Sequence, residues 1–202
     1  MPADVQTPAT PPVVATESGP KAAPPRSRTR NLVAAALIAA IMAALGPVAI
    51  TAGTVPVTLQ IFPVVLAALL LPAEWAAASM TVYVVLGAIG VPVYAQGTAG
   101  LGVLLGPTGG YLIGFVLAAA AGALARGAVA PATRIGADVV AGVVTVAVVY
   151  AVGWTWLAFG PTHVPPFAAF LGGVVPFLLP DAIKAAVAIL VATAVRRGLT
   201  AP

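Results

Sequence analysis

Long hydrophobic runs fill the chain from residue 32 onward, and short breaks containing proline, glycine or charge separate them. Pro72, Pro92 and the glycine-rich stretch 97–110 are among the breaks. A helix that crosses a bilayer needs about 20 apolar residues, so the remaining length accommodates about six such helices. The pattern predicts membrane spans at 32–46, 57–71, 74–90, 110–125, 136–158 and 170–195.

The composition agrees with this pattern. Of the 202 residues, 61% are hydrophobic and only 7% are charged, against roughly 25% charged in a soluble domain. We therefore expect an all-α membrane protein with no large extramembrane domain. Residues 1–31 are rich in proline and predict a disordered cytoplasmic tail, 32–195 form the six-helix membrane domain, and 196–202 form a short basic cytoplasmic end. The first run also resembles a secretory signal, although the charged segment before it is unusually long.

The distribution of lysine and arginine predicts the orientation. If the N-terminus is cytoplasmic, six spans return the C-terminus to the cytoplasm, and eight of the nine basic residues fall on that side. The three opposite loops contain none. The net charge of +4 is thus explained by membrane topology, and we do not expect a nucleic-acid partner. The eight are Lys21, Arg26, Arg28, Arg30, Arg126, Arg134, Arg196 and Arg197.

Several chemistries lack the residues that they need. The chain has no cysteine and a single histidine, so thiol, disulfide and cysteine-ligated metal sites are excluded and no metal site is expected. The GPTGGY segment at 106–111 is not followed by Lys-Ser or Lys-Thr, which excludes a phosphate-binding P-loop. No cofactor is expected.

The ninth basic residue, Lys184, lies deep inside the last span. It follows Asp181 by three positions, which places both on one helix face, and it lies twelve positions before Arg196, or about 18 Å. A charge at that depth costs a few kcal/mol, so the pair should face protein, a ligand or a cavity. A ligand site and a structural ion pair both fit. Pro180 either breaks or kinks the helix just before the pair.

Two other features are candidates for interaction. In the first span, Ala35, Ala39 and Ala43 form a stripe of small residues of the kind that lets membrane helices approach closely, and Ala36, Ala40 and Ala44 form a second. The loops opposite the basic side contain neutral polar residues and many glycines, which suits a lid over a small polar ligand. Those polar residues are Thr51, Thr54, Thr58, Gln60, Tyr94, Gln96, Thr98, Thr108 and Tyr111.

Four ordered segments carry a family resemblance. They are PVTLQ (56–60), LGAIGVPVYA (86–95), GPTGGYLIGF (106–115) and LPDAIKAA (179–186). Together they resemble the BioY family, the biotin-binding S components of energy-coupling factor (ECF) transporters, over residues 32–195 with the tail outside.

The resemblance implies a six-helix protein of the bacterial plasma membrane that captures biotin from outside with high affinity. Its partners would be a transmembrane coupling subunit and two ATPase subunits, with biotin as transported ligand. The stripe Ala35, Ala39 and Ala43 would contact the coupling subunit, and the loop 46–56 would act as a lid.

Carried over by motif, Asp181 and Lys184 would contact the ligand, with Gln96, Tyr83 and Tyr111 as further lining residues. Lys184 would pair with the carboxylate of biotin and Asp181 would accept its ureido N–H groups, or the reverse. Three alternatives stay open. The first is an S component or small carrier for another compact carboxylate, such as lipoate or a different vitamin. The second is a structural assembly protein. The third is an intramembrane enzyme that uses Lys184, although Asp181 would hold that amine charged.

Overall fold

The computed structural model describes residues 28–50, 55–129 and 134–198. Within these ranges the chain is almost entirely helical, with one two-stranded antiparallel hairpin in which β1 (Ala49–Ile50) pairs with β2 (Val57–Thr58). The helices are α1 (Arg28–Leu45), α2 (Ile61–Leu70), α3 (Ala73–Ala88), α4 (Leu101–Leu104), α5 (Gly109–Ala128), α6 (Arg134–Phe159), α7 (Pro166–Gly173) and α8 (Leu178–Gly198).

Each predicted span contains a helix, and the last one is divided into α7 and α8. The division lies at Val174, whose backbone is not helical, and a 3-10 turn over Val175–Phe177 leads into α8. The sequence suggested a break at Pro180, whereas the observed break lies six residues earlier, at Val174. Pro180 instead falls in the first turn of α8, where its missing N–H has no helical partner to lose. The hairpin and the short α4 were not predicted.

Four helical segments are long and apolar enough to cross a membrane: α1, α5, α6 and the divided segment 166–198. Large apolar side chains such as Leu37, Leu124 and Leu190 are more than 60% exposed on their outer faces, as lipid contact would require. The chain is thus a helical membrane protein. Helices α2 and α3 are apolar but shorter, with 10 and 16 residues.

Helix α2 lies at the centre of the bundle. Eight of its ten residues are buried, and it contacts α1, α3, α5, α6 and α8. Small residues allow the surrounding helices to approach it and one another: a side chain at Gly122 of α5 would collide with Thr145 of α6 and Ala68 of α2. Because other helices surround α2 on most sides, little of its surface faces lipid. Its length therefore does not have to match the thickness of the bilayer.

At one end of the bundle, three helices are joined by charged groups that we call the arginine clamp (Arg126, Asp138 and Arg196). The carboxylate of Asp138 on α6 is 1% exposed and accepts from Arg126 Nε of α5 at 2.7 Å and from Arg196 Nη2 of α8. Arg196 also donates to the carbonyl of Leu69 near the end of α2 at 3.3 Å. Asp138 lies four residues after Arg134 on the same helix, but its charged partners come from two other helices.

We expect Asp138→Asn to lower the free energy of unfolding by about 3 kcal/mol, because removing one member of a buried ion pair leaves the others uncompensated. The expected loss of stability is moderate for a buried ion pair because both arginines are partly exposed. Thermal unfolding of the purified protein in detergent measures it. Arg134→Gln removes an exposed charge from the same end of α6 and serves as the control. Equal melting temperatures for the two variants would contradict the role of the clamp.

Candidate ligand-binding site

A pocket opens at the end of the bundle opposite the arginine clamp. It contains about 580 Å³ of space, a volume that includes the open solvent at its mouth. Residues before α2, the connection between α3 and α5, and helices α5, α6 and α8 form its walls. The lining residues are Val55, Pro56, Thr58, Gln60, Ile61, Tyr94, Ala95, Val103, Thr108, Tyr111, Leu112, Phe115, Val149, Tyr150, Phe177 and Asp181.

Among the described residues that line this pocket, Asp181 is the one with a charged side chain. It is 4% exposed, and each of its carboxylate oxygens has a donor. Lys184 Nζ lies 2.6 Å from Oδ1, and the Tyr150 hydroxyl donates to Oδ2 at 2.8 Å. The predicted pair of Asp181 and Lys184 is therefore in direct contact. Of the two, Asp181 is among the residues that line the pocket and Lys184 is not, and the lysine side chain is 12% exposed.

The break between α7 and α8 explains why Asp181 lies here. Since α8 begins at Leu178, Asp181 falls in its first turn, where the partial positive charge of the helix N-terminus favours a carboxylate. A continuous helix through Val174 would place the same residue in the middle of an apolar rod. The broken backbone therefore supplies part of the stabilisation that a buried charge needs.

A chain of hydrogen bonds supports the wall near β2. Thr58 Oγ1 donates to Gln60 Oε1 at 2.8 Å, Gln60 Nε2 donates to the Tyr83 hydroxyl, and that hydroxyl donates to the Val93 carbonyl at 3.1 Å. Tyr83 was predicted as a lining residue. The structure places it behind the wall, fully buried, where it orients Gln60, which does line the pocket.

Tyr111, also predicted, lines the pocket with its ring. Its hydroxyl donates to the Gly173 carbonyl at 2.8 Å and so joins α5 to α7. The ring fits against Gly153 of α6, where a side chain would collide with it. Tyr111 therefore shapes the pocket, and its polar atom is committed to the backbone.

Tyr94 closes the same region from the connection between α3 and α5. Its ring packs on Gly87 and meets the Tyr83 ring edge-on at 5.7 Å between centroids. Its hydroxyl donates to the Val84 carbonyl at 2.6 Å, and burial raises the pKa of this phenol above its ordinary value. The hydroxyl thus stays protonated and holds the connection to α3.

Gln96 is exposed and adopts a left-handed backbone conformation with φ 58°. Its neighbours Tyr94 and Ala95 line the pocket, whereas the Gln96 side chain is outside the set of lining residues described here. A role for Gln96 in ligand binding stays a prediction. The lid predicted at 46–56 includes residues 51–54, which lie outside the described ranges, while Val55 and Pro56 line the pocket.

Among the polar residues that line the pocket, Tyr150 is the one that the sequence did not reveal. It lies inside a long apolar run of α6 with no polar neighbour to mark it, and the direction it faces follows only from how α6 packs against α8. A tyrosine in mid-helix, away from the membrane interface where this residue type is common, is the one signal available.

The first alanine stripe faces inward. Ala35 and Ala39 are 5% and 4% exposed and pack within the chain, and Ala43 is half-buried. The predicted contact of this stripe with a partner stays a prediction, and the burial of Ala35 and Ala39 within the chain does not favour it. The sequence identifies a stripe of small residues but not the side on which neighbouring helices lie. The second stripe, Ala36, Ala40 and Ala44, is the exposed one.

These features define a class: a helical membrane protein with one end open to a small, mostly apolar ligand pocket and the other end basic. The chain belongs to the BioY family, whose model matches residues 17–201. That match begins before residue 32, so it extends into the tail that the motifs had left outside.

Comparisons with individual proteins agree. The chain is 37% identical over 165 residues to a probable biotin transporter BioY of Pyrococcus horikoshii, covering 82% of this chain and 95% of that one. It is 37% identical over 169 residues to the biotin transporter BioY of Thermotoga maritima, covering 83% and 96%. The fold is similar to the S-component for biotin from an ECF-type ABC transporter, with a TM-score of 0.74, 24% identity and coverage of 84% and 92%.

Proposed function

We propose that this chain captures biotin in the pocket and mediates its uptake as the S component of an ECF transporter in the bacterial plasma membrane. Membership of the BioY family and the names of the two transporters support the proposal. The observation that carries it is the chemistry of the wall, which combines one buried carboxylate with apolar side chains and neutral polar groups. The proposal assigns binding and transport to the chain and no catalytic step.

The contact between Asp181 and Lys184 restricts how biotin lies. Its ureido ring and its carboxylate are at opposite ends of the molecule, so two side chains in contact at 2.6 Å form a single subsite for one end. The face toward the pocket is the Asp181 carboxylate, which accepts N–H donors and repels another carboxylate. We therefore assign the ureido ring to Asp181 and the carboxylate of biotin to the mouth. Lys184 then acts as the counter-ion of Asp181.

The purified chain should bind labelled biotin saturably, and unlabelled biotin should displace it while lipoate and thiamine do not. Lys184→Ala should weaken binding at least tenfold, about 1.4 kcal/mol, because Asp181 loses its counter-ion in an apolar wall. Equilibrium binding in detergent measures both. Ile183→Ala, which changes an exposed apolar neighbour on the same helix, should bind as the parent does.

Two results would count against this assignment. No binding by a monodisperse, helical sample would remove biotin as the ligand. Displacement by lipoate would favour the second candidate, an S component for another carboxylate vitamin.

The partners in the proposal are a transmembrane coupling subunit and two ATPase subunits. The exposed stripe Ala36, Ala40 and Ala44 supplies a smooth face on α1 against which another membrane helix could pack closely. We therefore assign the contact with the coupling subunit to this exposed stripe instead of the buried stripe of Ala35 and Ala39.

Ala40→Leu should therefore leave biotin binding intact and reduce biotin uptake severalfold in cells that contain the coupling module, because added bulk keeps the partner helix away. Ala39→Leu, in the buried stripe, should instead lower the melting temperature through overpacking. Uptake of labelled biotin and thermal unfolding separate the two effects. Normal uptake by Ala40→Leu would exclude this stripe as the contact.

Six membrane-crossing segments with both termini in the cytoplasm complete the proposal. The separation of the arginine clamp from the pocket supports it, because basic residues mark the cytoplasmic end. The chain has no cysteine, so single cysteines report the orientation directly. In intact cells, an impermeant thiol reagent should label Thr98→Cys and spare Ala128→Cys until the membrane is opened. The reverse pattern would invert the topology.

A further inference from the structure

The two donors on Asp181 come from different directions. Lys184 lies on the same helix, three residues on, and binds Oδ1, whereas Tyr150 reaches Oδ2 from α6. The terminal bond of an aspartate side chain has a broad torsional preference, so a single donor leaves the plane of the carboxylate loosely defined. One donor on each oxygen fixes that plane.

The donors also differ in their relation to the pocket. Tyr150 lines it together with Asp181, and Lys184 does not. With Lys184 alone, the carboxylate would be held toward its own helix. The tyrosine bonds the second oxygen from the pocket wall that Tyr150 and Asp181 both line.

We propose that Tyr150 is a positioning and specificity-determining residue, which fixes the Asp181 carboxylate so that the pocket accepts a ligand end bearing N–H donors. This inference rests on the proposed function and refines it. The Tyr150 hydroxyl has one proton and donates it to Asp181, so the two side chains together present acceptors to the ligand. A carboxylate has about four lone-pair directions, and two remain after Lys184 and Tyr150 are served.

The ligand class that matches is a cyclic urea or another ring with adjacent N–H groups. Its donors fill the remaining acceptor positions of Asp181. A group that only accepts, such as a carboxylate or an ester, meets unfavourable lone pairs and one negative charge there.

A cycle of variants tests whether Tyr150 acts through Asp181. Dissociation constants for labelled biotin are measured for the full chain and for Tyr150→Phe, Asp181→Asn and the double variant. Tyr150→Phe should weaken binding at least tenfold in the parent chain but less than twofold in the Asp181→Asn background, because the carboxylate that it positions is gone. If the fold-losses of affinity of the two single variants multiply in the double variant, the proposal is overturned. That result would show that Tyr150 affects the fold or the pocket independently of Asp181.

Tyr111→Phe is the matched control. It also removes a hydroxyl from a tyrosine of the pocket, but that hydroxyl bonds the Gly173 carbonyl and not Asp181. Its cost should be the same with and without Asp181→Asn. Coupling as large as that of Tyr150 would overturn the specific role of Tyr150.

Ligand analogues give a second measurement that does not depend on any variant. Desthiobiotin, which keeps both ureido N–H groups, should bind the parent chain within about tenfold of biotin, and biotin with one ureido nitrogen blocked by a methoxycarbonyl group should lose at least a hundredfold. Tight binding of the blocked analogue would overturn the selection of N–H donors. A parent chain that binds no biotin at all would overturn the proposed function as well, and the two failures are thereby distinguished.

Discussion

The cost of holding the Asp181 charge inside an apolar bundle shapes much of this molecule. Burying an uncompensated carboxylate in apolar surroundings costs more free energy than the net stability of a folded domain. Three neighbouring features each reduce this cost. Lys184 provides a counter-ion, Tyr150 provides a hydrogen bond, and the start of α8 provides the positive end of a helix. The break at Val174 contributes to this compensation, because without it Asp181 would not lie in a first helical turn.

The hydrophobic pattern was sufficient to place the helices, since apolar runs and their proline and glycine breaks act locally. The predicted helix ends differ from the observed ones by a few residues. The break in the last span was predicted near Pro180 and lies at Val174, because proline is tolerated in the first turn of a helix and so does not mark the break itself. The hairpin of β1 and β2 was missed because two-residue strands leave no periodicity to detect.

For the candidate site, the sequence was sufficient to identify some residues but not others. Asp181 and Lys184 were identifiable from sequence, because charge deep in a membrane helix is costly and the spacing of three is local. Tyr150 and the inward direction of Ala35 and Ala39 were not, because which face of an apolar helix meets a neighbour depends on tertiary packing. Asp138 shows the same limit: Arg134 lies four residues before it in the sequence, while its partners in space come from α5 and α8.

Helices α6 and α8 are joined by polar contacts at two levels, Tyr150 with Asp181 at the pocket and Asp138 with Arg196 at the basic end. The two levels lie 12 residues apart on α6 and 15 on α8, or about 18 to 22 Å of helix. The two helices cannot slide past each other or separate without breaking the hydrogen bond or the ion pair. A change of shape between the empty and the loaded protein that keeps both contacts is therefore carried by the helices around α6 and α8.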